Sequence, residues 1–199
     1  MIKPGLVRLG LTGSIGMGKS TIAGMFRDEG VPVWDADDAV HRLYAQSDAV
    51  KTRLVQVFGD VLTDGVVDRA KLSQALKAVP DGFDTLNAIV HPATVVDREA
   101  FLAQNGSAPL TVSDIPLLFE TGADKAFDAV LVVSAPADIQ RQRVLARPGM
   151  TAEKFTAILA RQMPDDEKRR RADFAIDTSQ TLDACREAVR AIIRKLTVV

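Results

Sequence analysis

The chain has 199 residues, 47% of them hydrophobic and 26% charged, with a net charge of −1. A domain of this size buries about 70% of the surface of its unfolded chain, so it needs no disulfide or structural metal, and its composition excludes disorder over the whole length. The single cysteine, Cys185, excludes a disulfide scaffold and a thiolate zinc cluster.

Cys185 reads as a small apolar residue on a helix. No apolar run reaches the ~18 residues of a membrane span. The stretch from Leu6 to Leu11 is interrupted by Arg8 and runs at once into glycines, unlike a signal peptide. The expectation is a reduced, soluble, cytoplasmic protein with no membrane or nucleic-acid partner, a monomer or weak homo-oligomer. The near-neutral total hides an imbalance: residues 141–171 hold nine Arg or Lys against four acids.

In chain order, Leu6 to Leu11 predicts a buried strand of a parallel sheet. Gly13 to Gly18 is a loop, and a helix runs from Lys19 to about Glu29, stopped by Gly30. Val31 to Trp34 is a second short strand, with Trp34 in the core. The pattern is then mostly helical, with helices expected over 37–46, 48–58, 69–78, 82–90 and 92–104. Gly59 and Gly65, with Asp60 and Asp64, punctuate this stretch. Strands return at 110–115 and 129–134, followed by helices at 136–147, 151–162 and 164–171. A last strand at 174–176 and a helix at 180–196 close the chain. This alternation predicts an α/β fold of the P-loop NTPase type: a parallel five-stranded sheet with helices on both faces and a helical insertion. The expected core covers about 1–36, 108–147 and 172–199, the insertion 37–107 and a lid 148–171.

Gly13-Ser14-Ile15-Gly16-Met17-Gly18-Lys19-Ser20 fits G-x-x-x-x-G-K-[ST] at every fixed position. Glycines let the backbone wrap a phosphate chain, and the loop N–H groups and the helix behind it supply positive charge. Lys19 reaches the β- and γ-phosphates, and the Ser20 hydroxyl can ligate Mg²⁺. The loop by itself means nucleotide binding rather than any one reaction. No N-K-x-D tetrapeptide of a GTPase and no L-S-G-G-Q of a transporter ATPase occurs. Chain length, insertion and the late basic segment suit a small-molecule kinase with a closing, Arg-bearing lid.

Asp35 and Asp37 follow the second strand, at the sheet edge where open parallel sheets bind ligands. Two apart on an extended chain, they would aim the same way. One could take a proton from an acceptor hydroxyl and one could hold the water shell of Mg²⁺, while helix capping accounts for one of them in structural terms. Asp114, ending a strand, reads equally as a Mg²⁺-side acid or a strand-end cap. His91 before Pro92 reads as helix-entry packing, and Lys168-Arg169-Arg170-Arg171 as a solvated helix face.

With these residues in view, the chain resembles the dephospho-CoA kinase family, ATP-dependent enzymes of coenzyme A synthesis. The family's G-L-T-G-x-I-G-x-G-K-[ST]-T stands here from Gly10 to Thr21, and its D-A-D as Asp35-Ala36-Asp37. Its H-P pair is His91-Pro92, and its P-L-L-F-E block is Pro116 to Glu120. Its late Q, K and A-D-[FY]-x-I-[DN] positions are Gln162, Lys168 and Ala172 to Asp177. The resemblance implies transfer of the γ-phosphoryl group of ATP to the 3′-hydroxyl of dephospho-CoA, with Mg²⁺. It implies ATP on Gly13, Ser14, Ile15, Gly16, Met17, Gly18, Lys19, Ser20 and Thr21. Asp37 would be the base, Asp35 secondary, and Ser20 and Asp37, the latter through water, would hold Mg²⁺. Arg143 would reach the transferred phosphate and the acceptor, and Arg147 the lid side of ATP. The four-residue spacing of Arg143 and Arg147 places them on one helix face and favours Arg143 over Arg141. His91, Leu117, Leu118 and Glu120 would line the acceptor side. Ser14 and Thr178 depart from the family's usual Gly and Asn. A nucleoside or nucleotide kinase is the rival reading, opposed by the His-Pro and P-L-L-F-E blocks. A non-catalytic ATP switch is opposed by the acid and Arg pairs.

Overall fold

The computed structural model describes residues 5–197; residues 1–4, 198 and 199, at the ends of the expected core, lie outside the described residues. Two compact units divide the chain, one made of residues up to Trp34 and from Asn105 onward, the other of Asp35–Gln104.

The first unit is built on a five-stranded sheet in the order β2-β5-β1-β6-β7. Its strands are β1 (Val7–Thr12), β2 (Val33–Asp35), β5 (Leu110–Asp114), β6 (Ala129–Ser134) and β7 (Phe174–Asp177). β1 pairs in parallel with β5 from Val7–Leu110 to Leu11–Asp114, and with β6 from Leu9–Ala129 to Thr12–Val132. The central strands β5, β1 and β6 are largely buried on both faces, which is why β1 and β6 read as near-continuous apolar runs. Leu9, Leu11, Leu131 and Val133 face helix α1 (Lys19–Asp28) and helix α9 (Leu182–Thr197). Val130 and Val132 face Leu118 and Phe119 on the other side. Cys185, Val189 and Ile192 recur at helical spacing and form the buried stripe of α9. Cys185 is thus core, and burial pushes its thiol pKa up. Trp34 is buried as expected.

Helix α1 stops where Gly30 predicts. Gly30 N–H donates to Arg27 O (3.0 Å) and Val31 N–H to Phe26 O (3.0 Å), the paired bonds of a Schellman end. After β6 come α6 (Ala137–Leu145), α7 (Ala152–Leu159) and α8 (Asp165–Arg171). α6 is three residues shorter than the expected 136–147, one at its start and two at its end. Ala146 caps it, Arg147 bonds only three residues back, and so Arg147 lies past the helix. The argument that put Arg143 and Arg147 on one helix face fails for that reason.

The second unit has its own core, in which Leu54, Leu72 and Val90 are buried together. Its helices are α2 (Ala36–Gln46), α3 (Asp48–Phe58), α4 (Arg69–Ala78) and α5 (Gly82–Gln104). Two features differ from the expected run of five helices. Leu62–Thr63 and Val66–Val67 form a β-hairpin, β3 and β4, across Asp64 and Gly65, both at positive φ (51° and 76°). Asp-Gly is the residue pair that such a turn demands. The two helices expected at 82–90 and 92–104 are one 23-residue helix with Pro92 inside it. Proline removes the hydrogen bond to the carbonyl four residues back. Here α5 packs against α2, α3 and α4, and that packing outweighs the loss. No helix among the described residues is long and apolar enough to cross a membrane.

Candidate phosphate-transfer site

The loop from Gly13 to Gly18 lies between the end of β1 and the start of α1. A Cβ on Gly13 would stand 2.5 Å from Val133 Cγ2 and 2.8 Å from Val133 O, so β6 can come this close only to glycine. Gly16 has φ +79°, and a Cβ there would lie 2.5 Å from Val144 Cγ2 on α6. The glycine spacing therefore answers two demands at once: a wrapped backbone and tight seating on β6 and α6.

Lys19 opens α1 and forms an ion pair with Asp114, the last residue of β5. Asp114 is fully buried and Lys19 is 15% exposed at its side chain. The motif lysine is therefore held over the end of the sheet. Ser20 and Thr21 are exposed in the first turn of α1. Ser20 and Asp114 offer only oxygen, the donor chemistry that suits Mg²⁺, which takes one or two protein oxygens beside phosphate and water. Among the described residues no cluster of three His, Cys, Asp or Glu side chains is placed to hold a metal.

Thr178 supports both the loop and Arg143. Its hydroxyl donates to Met17 O (2.8 Å), and its N–H donates to Ser134 O (2.8 Å). Arg143 donates through one guanidinium nitrogen to Thr178 Oγ1 (2.9 Å) and through the other to Thr178 O (2.7 Å). A guanidinium's fixed fork suits such a two-point contact. This separates Arg143 from its neighbours: Arg141 and Arg147 are exposed. Thr178 was visible in the sequence only as a departure from the family's Asn. Beside it, Asp177 accepts from Ser179 N–H (2.9 Å), the Ser179 hydroxyl and Gln180 Nε2 (3.1 Å). These bonds hold its carboxyl below the ordinary carboxylate range.

Two glutamines bracket the loop. Ile15 N–H donates to Gln162 Oε1 (3.1 Å), and Gln140 Nε2 donates to Ile15 O (2.7 Å). No motif marks Gln140, and Gln162 was only a matched family position without a role.

The Pro116–Glu120 block does not line a ligand wall as a whole. Leu118 is fully buried against Phe119, Val130 and Val132, so it is core, not acceptor surface. Leu117 is 40% exposed. Glu120 accepts from Met163 N–H (2.8 Å) and pairs with Lys168 Nζ (2.8 Å). The ion pair is close but off-angle for a hydrogen bond, so the attraction is Coulombic, and Glu120 Oε2 is buried with no hydrogen bond. Lys168 is fully buried, which corrects the reading of the basic run as a solvated face. The rest of that run is exposed: Arg170 pairs with Asp166, and Arg171 pairs with Asp124 and lies over the Phe119 ring (4.6 Å).

In the helical unit, Asp35 is the N-cap of α2, its Oδ1 accepting from Asp37 N–H (2.9 Å) and Asp38 N–H (3.2 Å). The extended backbone ends at Asp35, and Asp37 is already in the first turn of α2. The expected extended pair aimed one way is therefore absent. Asp37 is exposed. His91 is exposed within α5, not at a helix entry.

Comparison with known proteins follows this geometry. The family model for dephospho-CoA kinase matches residues 7–184. A dephospho-CoA kinase of Mesorhizobium japonicum is 56% identical over 194 residues, covering 96% of this chain and 97% of that one. Its counterpart in Rhizobium meliloti is 50% identical over 193 residues, covering 96% and 98%. The crystal structure of TT1252 from Thermus thermophilus superposes with a TM-score of 0.83 at 34% identity, covering 96% and 98%. Dephospho-CoA kinase from Campylobacter jejuni (TM-score 0.69, 23% identity, 96% of each chain) shares the fold. So does shikimate kinase from Acinetobacter baumannii (0.51, 17%, covering 96% and 93%). Family model and relatives agree over almost the whole chain: it belongs to the dephospho-CoA kinase family.

Proposed function

We propose that the chain carries out its family's reaction, ATP-dependent phosphorylation of dephospho-CoA, the last step of coenzyme A synthesis, with the ribose 3′-hydroxyl as acceptor. The observation that carries this reading is a complete phosphate loop, with Lys19 held at Asp114, in a chain whose family match spans 7–184. In this reading Gly13 to Thr21 hold the ATP phosphates through backbone N–H groups and the α1 N-terminus. Lys19 leaves Asp114 for the β- and γ-phosphates, and Arg143 turns from Thr178 to meet the transferring group. Both supply positive charge where negative charge develops. Arg147 serves the lid side of ATP. Asp37 takes the hydroxyl proton and orients the oxygen for attack. Asp35 acts on Asp37 through the α2 cap. His91, Leu117 and Glu120 are left as acceptor-side candidates, Glu120 through the segment it holds.

Ser20 and Asp114 would hold Mg²⁺ through oxygen and Asp37 through water, and the ion bound with ATP would supply charge neutralisation at the phosphates. Residues 148–171 act as the lid that excludes water as a competing acceptor, and the 37–107 stretch holds the acceptor. A single cysteine kept in the core suits a reducing cytoplasm. The near-neutral charge of −1 suits small anionic substrates bound locally better than nucleic acid.

A coupled ADP-release assay tests the reading. Turnover is expected with dephospho-CoA and not with nucleosides or nucleotides. Turnover with nucleotides alone would overturn it, and so would no turnover with any acceptor.

A further inference from the structure

The backbone of Ile15 is held at both its N–H and its carbonyl by side chains far away in sequence. Its carbonyl accepts from Gln140 Nε2 (2.7 Å) and its N–H donates to Gln162 Oε1 (3.1 Å). Ile15 is the third position of the eight-residue motif, next to Gly16, whose φ of +79° and close approach to Val144 seat the loop on α6. A glycine-rich loop has many backbone states, and its N–H groups attract phosphate only when they converge. Fixing both backbone polar groups of one residue ties down two successive peptide units, Ser14–Ile15 and Ile15–Gly16, and removes much of that freedom before the nucleotide arrives.

Gln162 is itself fixed. It lies in the turn after α7 (Gln162 N–H to Leu159 O, 3.0 Å), and the next N–H, Met163, donates to Glu120 Oε1 (2.8 Å). Glu120 is anchored by the buried ammonium of Lys168 on α8. A continuous line of contacts thus runs from Lys168 through Glu120 and Met163 to Gln162 and the phosphate loop, all within one compact unit.

We infer that Gln162 is a positioning residue for the nucleotide: it sets the Ile15 peptide, and through it the phosphate loop, for ATP. Glu120 and Lys168 act at one further remove by fixing the residue beside it. The inference deepens the reading of the loop as the ATP site and rests on it.

The test measures ATP and dephospho-CoA affinity by titration calorimetry, with thermal melting alongside, for the wild type, Gln162→Ala and Gln162→Met. Gln162→Ala is expected to weaken ATP binding about tenfold, as loss of one organising hydrogen bond does. Dephospho-CoA affinity should stay within about twofold, and the melting temperature within a few degrees. Gln162→Met keeps the chain length and removes the acceptor oxygen, so it should weaken ATP binding as much as Gln162→Ala. Unchanged ATP affinity in Gln162→Ala would overturn the inference. So would wild-type affinity in Gln162→Met, which would reduce the role to packing. Equal losses for both substrates with a collapsed melting temperature would mean a merely structural residue and overturn it too. Failure of the ATP-site reading looks different, because the wild-type protein would then bind no ATP in the same titration.

Discussion

The phosphate-loop unit and the helical unit of residues 35–104 treat their functional side chains in opposite ways. In the first, the polar groups are braced before any ligand arrives: Lys19 by Asp114, Arg143 by Thr178, Ile15 by two glutamines, Glu120 by Lys168. In the second, Asp37 and His91 stand exposed on helices whose buried faces build a separate core. Bracing suits the phosphate loop, because backbone dipoles already oriented need no reorganisation during reaction, while Asp114 and Thr178 hold Lys19 and Arg143 beside the loop until phosphate takes their place. An exposed carboxylate suits a group whose partner is the incoming hydroxyl. In the proposed function, this difference would give preorganisation to the nucleotide side and recruitment to the acceptor side.

The sharpest way to break this comparison is to remove one group from each side. Asp37→Asn keeps the shape of the α2 start, whose cap is Asp35 and not Asp37. It should lower turnover by roughly 100- to 10,000-fold, the usual range for a lost general base, with ATP affinity and melting temperature close to wild type. Lys19→Met should also lower turnover by about 100-fold or more. It should disturb the fold as well, because the fully buried Asp114 loses its cation. Steady-state ADP release with calorimetry and melting curves measures all three quantities. Near-normal turnover in Asp37→Asn would move the base elsewhere, and equal stability of the two variants would dissolve the contrast.

Much of this arrangement was legible in the sequence where local chemistry dictates it. The phosphate loop could be read because each fixed letter has a local reason, and Gly30 and the apolar strands for the same cause. The hairpin at β3 and β4 had a local signal in Asp64-Gly65, but flanking strands of two residues each are too short to show alternation. The passage of α5 through Pro92 had no local signal, since the packing that tolerates it comes from α2, α3 and α4. Leu118 and Lys168 were hidden for a related reason. Loop residues after a strand carry no periodicity, and a run of four basic residues reads as solvated on average, while the carboxylate that draws Lys168 inward is distant in sequence. Thr178 and Gln140 act through hydrogen bonds to backbone atoms, which leave no trace in residue pattern.

A smaller effect, on stability, separates buried from exposed bracing. Lys168 is fully buried against Glu120, whose side chain is 15% exposed. Glu120→Gln leaves a buried ammonium facing a neutral amide and should cost about 3–5 kcal/mol in urea unfolding. The single variant could fail to fold at that cost, so the informative partner is Glu120→Gln with Lys168→Met. Removing both charges is often far milder than removing one. The double variant should therefore recover most of the loss, giving a clear coupling in a double-mutant cycle. Additive losses would mean that the pair holds nothing beyond its separate packing.

The smallest effect comes from the same chemistry at the surface of the same unit. Asp128 accepts from the Arg8 N–H (2.8 Å) and from two guanidinium nitrogens (3.0 and 2.9 Å). The Arg8 contacts hold its carboxyl below the ordinary 3.8. Both side chains are 43% exposed, so solvent screens the pair. Asp128→Asn should cost only about 0.2–1 kcal/mol at neutral pH, read from urea midpoints. The sign follows from the direction of the shift. A carboxyl with a depressed folded pKa adds stability that is complete above the unfolded value of 3.8, and that stability is lost as pH falls through the folded value. The gap between wild type and Asp128→Asn should therefore narrow below that pH and also shrink in high salt. A gap that stays constant through the acid range would mean that the Arg8 contacts act through neutral hydrogen bonds, and that exposure is not what separates this pair from Glu120 and Lys168.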